Sequence, residues 1–79
     1  MAVETATTIA RCTSFQRLKV RTQLRQLELP VEQVSVMHRD LFRAAGIAWS
    51  DGADMDTTLR AVSMSAASRL INALKERLE

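Results

Sequence analysis

The sequence predicts an all-α domain: a small bundle of three main helices and one short one, packed antiparallel or orthogonally. Three observations predict it. Alanine, leucine and arginine dominate the chain, and all three favour helix. Two glycines and one proline in 79 residues leave little turn chemistry for a β-sandwich. The third is the stretch SMSAASRLINALKERL, residues 63–78, where Ala67, Leu70, Ile71, Leu74 and Leu78 fall on one helical face. Ser63 stands before that run and caps it, and Arg69, Lys75, Glu76 and Arg77 fill the opposite side. An apolar stripe of this kind must be covered by the rest of the chain or by a partner, so this helix organises the domain.

Residues 1–12 are weakly patterned. Thr5, Thr7 and Thr8 disfavour a helix interior, and the segment reads as frayed or as a loose first turn. Ser14 caps a first helix that runs to about Leu27. Val20, Leu24 and Leu27 make its apolar face, whereas Phe15 and Leu18 point nearly the other way. A second apolar side on so small a domain implies a contact with a partner or with another copy. Arg17, Arg21 and Arg25 recur every fourth residue along this helix, with only Glu28 placed to relieve their repulsion. Two readings of this ridge stand: a solvated face whose arginines lie over apolar neighbours, or a docking ridge for phosphate or acidic side chains.

Leu29-Pro30 ends the first helix, and Pro30 opens a second that runs to Ala45. Its core face is Val34, Met37, Leu41 and Ala45, with His38 and Phe42 beside it. Glu32 and Arg43 suit its two ends, and Gly46-Ile47 reads as a Schellman ending. Residues 48–54 form a loop with a turn at Asp51-Gly52. Trp49 in that loop folds back as a lid on the core, or else stands out as an anchor for a partner. Asp54 or Asp56 caps a short third helix with Met55, Leu59 and Val62 inward, and Ser63 then starts the last helix.

The size allows one domain with a single small core. One cysteine, Cys12, excludes an internal disulfide and fits a reducing cytoplasm. The first residues show no signal-peptide pattern, and no apolar run is long enough to cross a membrane. The net charge is +2, with an excess of three positive charges in residues 1–30 and of one negative charge in residues 31–79.

The residues do not assemble a catalytic set. His38 is the only histidine, and Cys12, with Thr and Arg neighbours, reads as an inert thiol rather than as its nucleophilic partner. Asp51, Asp54 and Asp56 lack the closing glutamate of a calcium loop and read as helix caps. No glycine-rich phosphate loop is present. The chain is therefore expected to be neither an enzyme nor a cofactor or metal binder. Of the four methionines, Met37, Met55 and Met64 fall at core spacing and read as ordinary packing.

LFRAAGI (residues 41–47) and VSMSAASRLINAL (residues 62–74) resemble small helical modules of phage and mobile-element proteins. In those modules an apolar helix ends near Gly-Ile, and a last helix reads like Leu-Thr-x-x-Glu-Ala-Ser-x-Leu-Ile-x-x-Leu. Ser63 takes the capping threonine position, and Ala66 replaces the glutamate, so half of the capping box is lost. KVRTQLRQLELP (residues 19–30) is loosely similar to the first helix of Mu-like phage regulatory proteins. The resemblance covers about half of the chain. Such modules are often appended to recombination or single-strand-annealing proteins.

Together these readings predict a small interaction protein that binds and modulates a protein partner. An inhibitor of host defence, such as an anti-CRISPR, is one concrete form. Its expected contact residues are Arg17, Arg21 and Arg25, with Phe15, Leu18 and Trp49 as apolar anchors. The alternative is nucleic-acid binding through the three arginines, direct or as an accessory to recombination. The single Trp, the absence of Tyr and the acidic patch at Asp51–Asp56 weigh against it. Homo-oligomerisation is compatible with either.

Overall fold

A computed structural model describes residues 10–79. The fold is all-α. Among the described residues four α-helices follow in order: α1 (Ser14–Gln26), α2 (Arg39–Ala45), α3 (Met55–Arg60) and α4 (Met64–Leu78), with a 3₁₀ turn at Val36–His38 leading into α2. Both α1 and α2 pack against α4, and α3 packs against α1. Ala66, Ala67, Leu70 and Leu74 are the buried face of α4; the spacing predicts Ala67, Leu70 and Leu74, and the structure adds Ala66. Ile71 is half-buried against the core, and Leu78 at the last turn is exposed. Full burial of a leucine such as Leu70 or Leu74 contributes roughly 2 kcal/mol. Ser63 caps α4 by accepting from the Ala66 amide at 3.2 Å.

The helices are not arranged antiparallel throughout. Gln16 Nε2 donates to the carbonyl of Met64 and to Ser68 Oγ, and seven residues later Gln23 Nε2 donates to the carbonyl of Ile71, each at 3.3 Å. The contacts advance in the same direction along both chains, so α1 and α4 run in the same sense. Short connections force antiparallel neighbours only between consecutive helices, and here α2 and α3 intervene.

α1 starts one residue earlier than expected. Thr13, not Ser14, is its cap: Thr13 Oγ1 accepts from the Gln16 amide, and Gln16 Oε1 accepts from the Thr13 amide, both at 3.0 Å. This T-x-x-Q box satisfies two otherwise orphaned amides. The helix ends with Glu28 in the left-handed region at φ 61°, while Leu29 N–H donates to Leu24 O at 2.9 Å and Glu28 N–H to Arg25 O at 3.0 Å. That is a Schellman ending with glutamate where glycine is usual.

The second helix is shorter than predicted. Residues 30–35 are not helical, because their backbone pairs with the loop before α3. Val34 N–H donates to Ala53 O, Gly52 N–H to Val34 O, and Met55 N–H to Glu32 O, at 2.7–2.8 Å. Ser35 then caps a fresh start, its hydroxyl accepting from the Met37 amide. The change of register turns Met37 outward, to 54 % exposure, while Val34, Leu41, Phe42 and Ala45 stay in the core. Gly46, at φ 74°, and Ile47 close α2 as a Schellman motif, with Ile47 N–H on Phe42 O and Gly46 N–H on Arg43 O.

Residues 10–12 are pinned rather than frayed. Cys12 N–H donates to Val62 O and Met64 N–H to Ala10 O, so the segment lies antiparallel to residues 62–64. The expectation for residues 1–9 lies outside the described residues. Asp54 caps α3, its Oδ2 accepting from the Thr57 amide at 2.9 Å and from Thr57 Oγ1 at 3.0 Å. Met55, Leu59 and Val62 are buried as expected. Met64, expected in the core with Met55, is exposed.

Candidate interaction surface

α1 turns Val20, Gln23 and Leu24 into the core, with Leu27 packed at the edge. At about 100° per residue, Phe15, Leu18 and Thr22 then fall on the opposite side of the helix. Phe15 is 77 % exposed and Leu18 is 52 % exposed. Their spacing makes them neighbours on the outer face.

The three arginines do not form one free ridge. Each four-residue step overshoots a full turn by about 40°, so Arg17 to Arg25 spirals from the edge of the core toward solvent. Arg17 is half-buried, and its Nη1 donates to the Cys12 carbonyl at 3.1 Å. Arg21 Nη1 pairs with Asp56 Oδ1 at 2.9 Å, and Arg60 Nε holds Asp56 Oδ2 at 2.7 Å. Bonding from Arg60 first, and then from Arg21, holds the Asp56 carboxyl below the usual aspartate range, and Asp56 raises Arg60 in return. This cluster ties α1 to α3. Arg25 is exposed and has no ion-pair partner among the described residues. It borders a shallow depression of about 260 Å³ formed with Arg21, Val31, Glu32, Asp54 and Asp56.

Trp49 is half-buried against the core, in the connection between α2 and α3. Its indole covers the core, as the first of the two sequence readings has it.

Lys19 was not singled out from the sequence, although a helical projection of α1 places it beside Phe15, with Arg25 beside Leu18 on the other flank. Both charges are exposed, and Lys19 likewise has no ion-pair partner among the described residues. The helix carries Arg17, Lys19, Arg21 and Arg25 and no acidic residue. Two of the four are turned to protein groups, so Lys19 and Arg25 define the charge of the outer face. Val36 and Met37 expose a second apolar spot on the 3₁₀ turn.

Cys12 and His38 are each committed elsewhere. Cys12 is buried, and its thiol donates to the Leu59 carbonyl at 2.9 Å. His38 is completely buried. Its Nδ1 accepts from the Ser35 amide at 3.0 Å, and Nε2–H donates to the Pro30 carbonyl at 2.9 Å. The two groups do not form a nucleophile–base pair. Among the described residues no group of three or more His, Cys, Asp or Glu side chains is placed to hold a metal ion, and no helix is long and apolar enough to cross a membrane.

No family model matches the chain, and no curated protein or solved structure is significantly similar to it. The functional reading therefore rests on the surface itself.

Proposed function

We propose that the protein is a non-enzymatic interaction module that binds and modulates a protein partner through the outer face of α1. The observation that carries this reading is the exposed Phe15–Leu18 pair, standing opposite the buried Val20–Leu24 side of the same helix. Full burial of such a side chain is worth roughly 1.5–3 kcal/mol, and a partner can recover most of that at Phe15 and about half of it at Leu18. The phage-module resemblance makes a phage-encoded regulator the natural form. An inhibitor of host defence such as an anti-CRISPR is the specific version, and it rests on the small size and that resemblance. Self-association through the same face is a further form of this reading.

The nucleic-acid alternative is weakened by where the arginines go. With Arg17 on the Cys12 carbonyl and Arg21 on Asp56, only Lys19 and Arg25 remain on α1 to meet phosphates.

Affinity capture from a lysate of the source cell, with the wild-type chain and with Phe15→Ser/Leu18→Ser, tests the proposal. A protein held by the wild type, lost with the double variant and retained at moderate salt supports it. Retention of nucleic acid that dissolves steeply as salt rises would replace it with the alternative. Light scattering of the purified chain, alone and with short DNA at low salt, reports self-association and DNA binding separately.

A further inference from the structure

We infer that the segment recognised by α1 is an acidic amphipathic helix, whose apolar pair covers Phe15 and Leu18 and whose carboxylates, beside and beyond that pair, meet Lys19 and Arg25. This rests on the reading of the α1 face as a protein-binding surface, and it names the chemistry of the partner. The argument is one of complementarity. The outer face is a short apolar stripe, Phe15 and Leu18 followed by Thr22, with Lys19 on one flank and Arg25 on the other. No acidic side chain lies within α1, and the acids near Arg25 (Glu32, Asp54 and Asp56), which lie beyond it in sequence from Phe15 and Leu18, line the depression, with Asp56 already held by Arg21 and Arg60. The two cations that could have blurred this pattern are withdrawn from it, Arg17 to the Cys12 carbonyl and Arg21 to Asp56.

The geometry adds a spacing. Lys19 and Arg25 lie six residues apart, which is about 9 Å along the helix axis. A partner helix laid along α1 meets both with carboxylates about six residues apart, one toward each flank. Phe15 and Leu18 lie about 6 Å and about 1.5 Å before Lys19 along the axis, so the partner's apolar residues fall about four and one residues outside the carboxylate that meets Lys19. Charges at the rim of such a contact select the partner and its register more than they set its strength. A lipid surface fits less well, because the apolar stripe is only two residues long and carries no aromatic besides Phe15. The contact is also small, so a transient, regulatory mode of binding is the expected one.

The test is selection of a displayed library of random 16-residue peptides on the immobilised full chain, followed by fluorescence anisotropy of the enriched peptide. The expected result is enrichment of Glu or Asp about six residues apart, with Leu, Ile or Phe about one and four residues outside one of them. Replacing the peptide's acids by Lys weakens binding by about tenfold, the combined effect of two rim pairs lost and two repulsions gained. Phe15→Ser/Leu18→Ser abolishes binding, and Lys19→Glu/Arg25→Glu reverses the preference to the Lys peptide. All four positions are exposed, so the variants keep the wild-type circular dichroism and melting profile. Enrichment of neutral or basic peptides that still need Phe15 and Leu18 overturns the acidic partner and leaves the interaction surface standing. No enriched peptide, or peptides indifferent to Phe15 and Leu18, overturns both. Tighter association with phosphatidylserine vesicles or a 20-base-pair duplex than with any selected peptide also overturns the inference.

Discussion

His38 offers the sharpest test of how the fold is held. Its ring is completely buried and lies 5.8 Å, centroid to centroid, from Phe42. Because Nδ1 accepts from the Ser35 amide, the ring is the Nε2–H tautomer, and that hydrogen goes to the Pro30 carbonyl. One side chain thus ties the two ends of the non-helical segment 30–35. His38→Phe keeps a ring of similar shape but leaves an amide and a carbonyl without this partner. At about 1–2 kcal/mol for each orphaned group, the expected loss is about 2–4 kcal/mol. His38→Ala also removes the ring and leaves a cavity, and its loss is expected at about 4–5 kcal/mol. A domain of this size has only about 4–12 kcal/mol in all, so His38→Ala falls near the limit of folding. Urea unfolding followed by far-ultraviolet circular dichroism and by Trp49 fluorescence measures both losses. A His38→Phe variant within about 0.5 kcal/mol of wild type would refute the reasoning, since the ring would then act by volume alone. Long-range ¹H–¹⁵N correlation of the imidazole checks the tautomer directly, and a hydrogen on Nδ1 would contradict the network.

Three further predictions follow from single features. Gln23 is buried between α1 and α4, its Oε1 finds no donor among the described residues and its Nε2 makes only the long bond to the Ile71 carbonyl, so Gln23→Met is expected to raise stability by about 1 kcal/mol in the same urea assay. Glu28 sits at φ 61°, where an L side chain is strained, and Glu28→Gly should raise the melting temperature through a gain of roughly 0.5–1 kcal/mol. Asp56 has a lowered pKa in the folded state, so its pairing is fully stabilising above the ordinary aspartate range and is lost as pH falls through the lowered value. Urea midpoints between about pH 6 and about pH 2.5 should therefore decline more steeply for wild type than for Asp56→Asn; parallel declines would show that the Arg21–Asp56–Arg60 cluster does not couple folding to pH.

Local chemistry made much of this fold legible. Ser63 and the stripe through Leu74 predict α4, because a capped helix with one apolar face has one way to bury it. Gly46-Ile47 predicts the end of α2 because the left-handed turn needs glycine there. Asp54 and Asp56 likewise predict α3, and the structure selects Asp54 as its cap. The capping box Thr13-x-x-Gln16 was equally local, and Ser14 was the wrong choice between two adjacent hydroxyls. On the surface, Phe15 and Leu18 were legible as an apolar pair out of phase with Val20 and Leu24, since rotation along one helix is a property of the sequence alone.

What the sequence determined by itself, then, is the set of helical faces: which residues of α1, α3 and α4 turn inward, and that α1 has an apolar remainder. Tertiary structure alone decided where each charge and each non-helical backbone group found its partner. Residues 30–35 left the helix because distant amides and carbonyls at residues 52–55 offered pairing that local propensity cannot register, and His38 closed that segment from within. Arg21 became structural because Asp56, 35 residues on, arrives beside it. The proposed interaction face is what remains: a long cation commits to whichever carboxylate or carbonyl the fold brings within about 3 Å, and Lys19 and Arg25 stay beside Phe15 and Leu18 because the fold brings them none among the described residues.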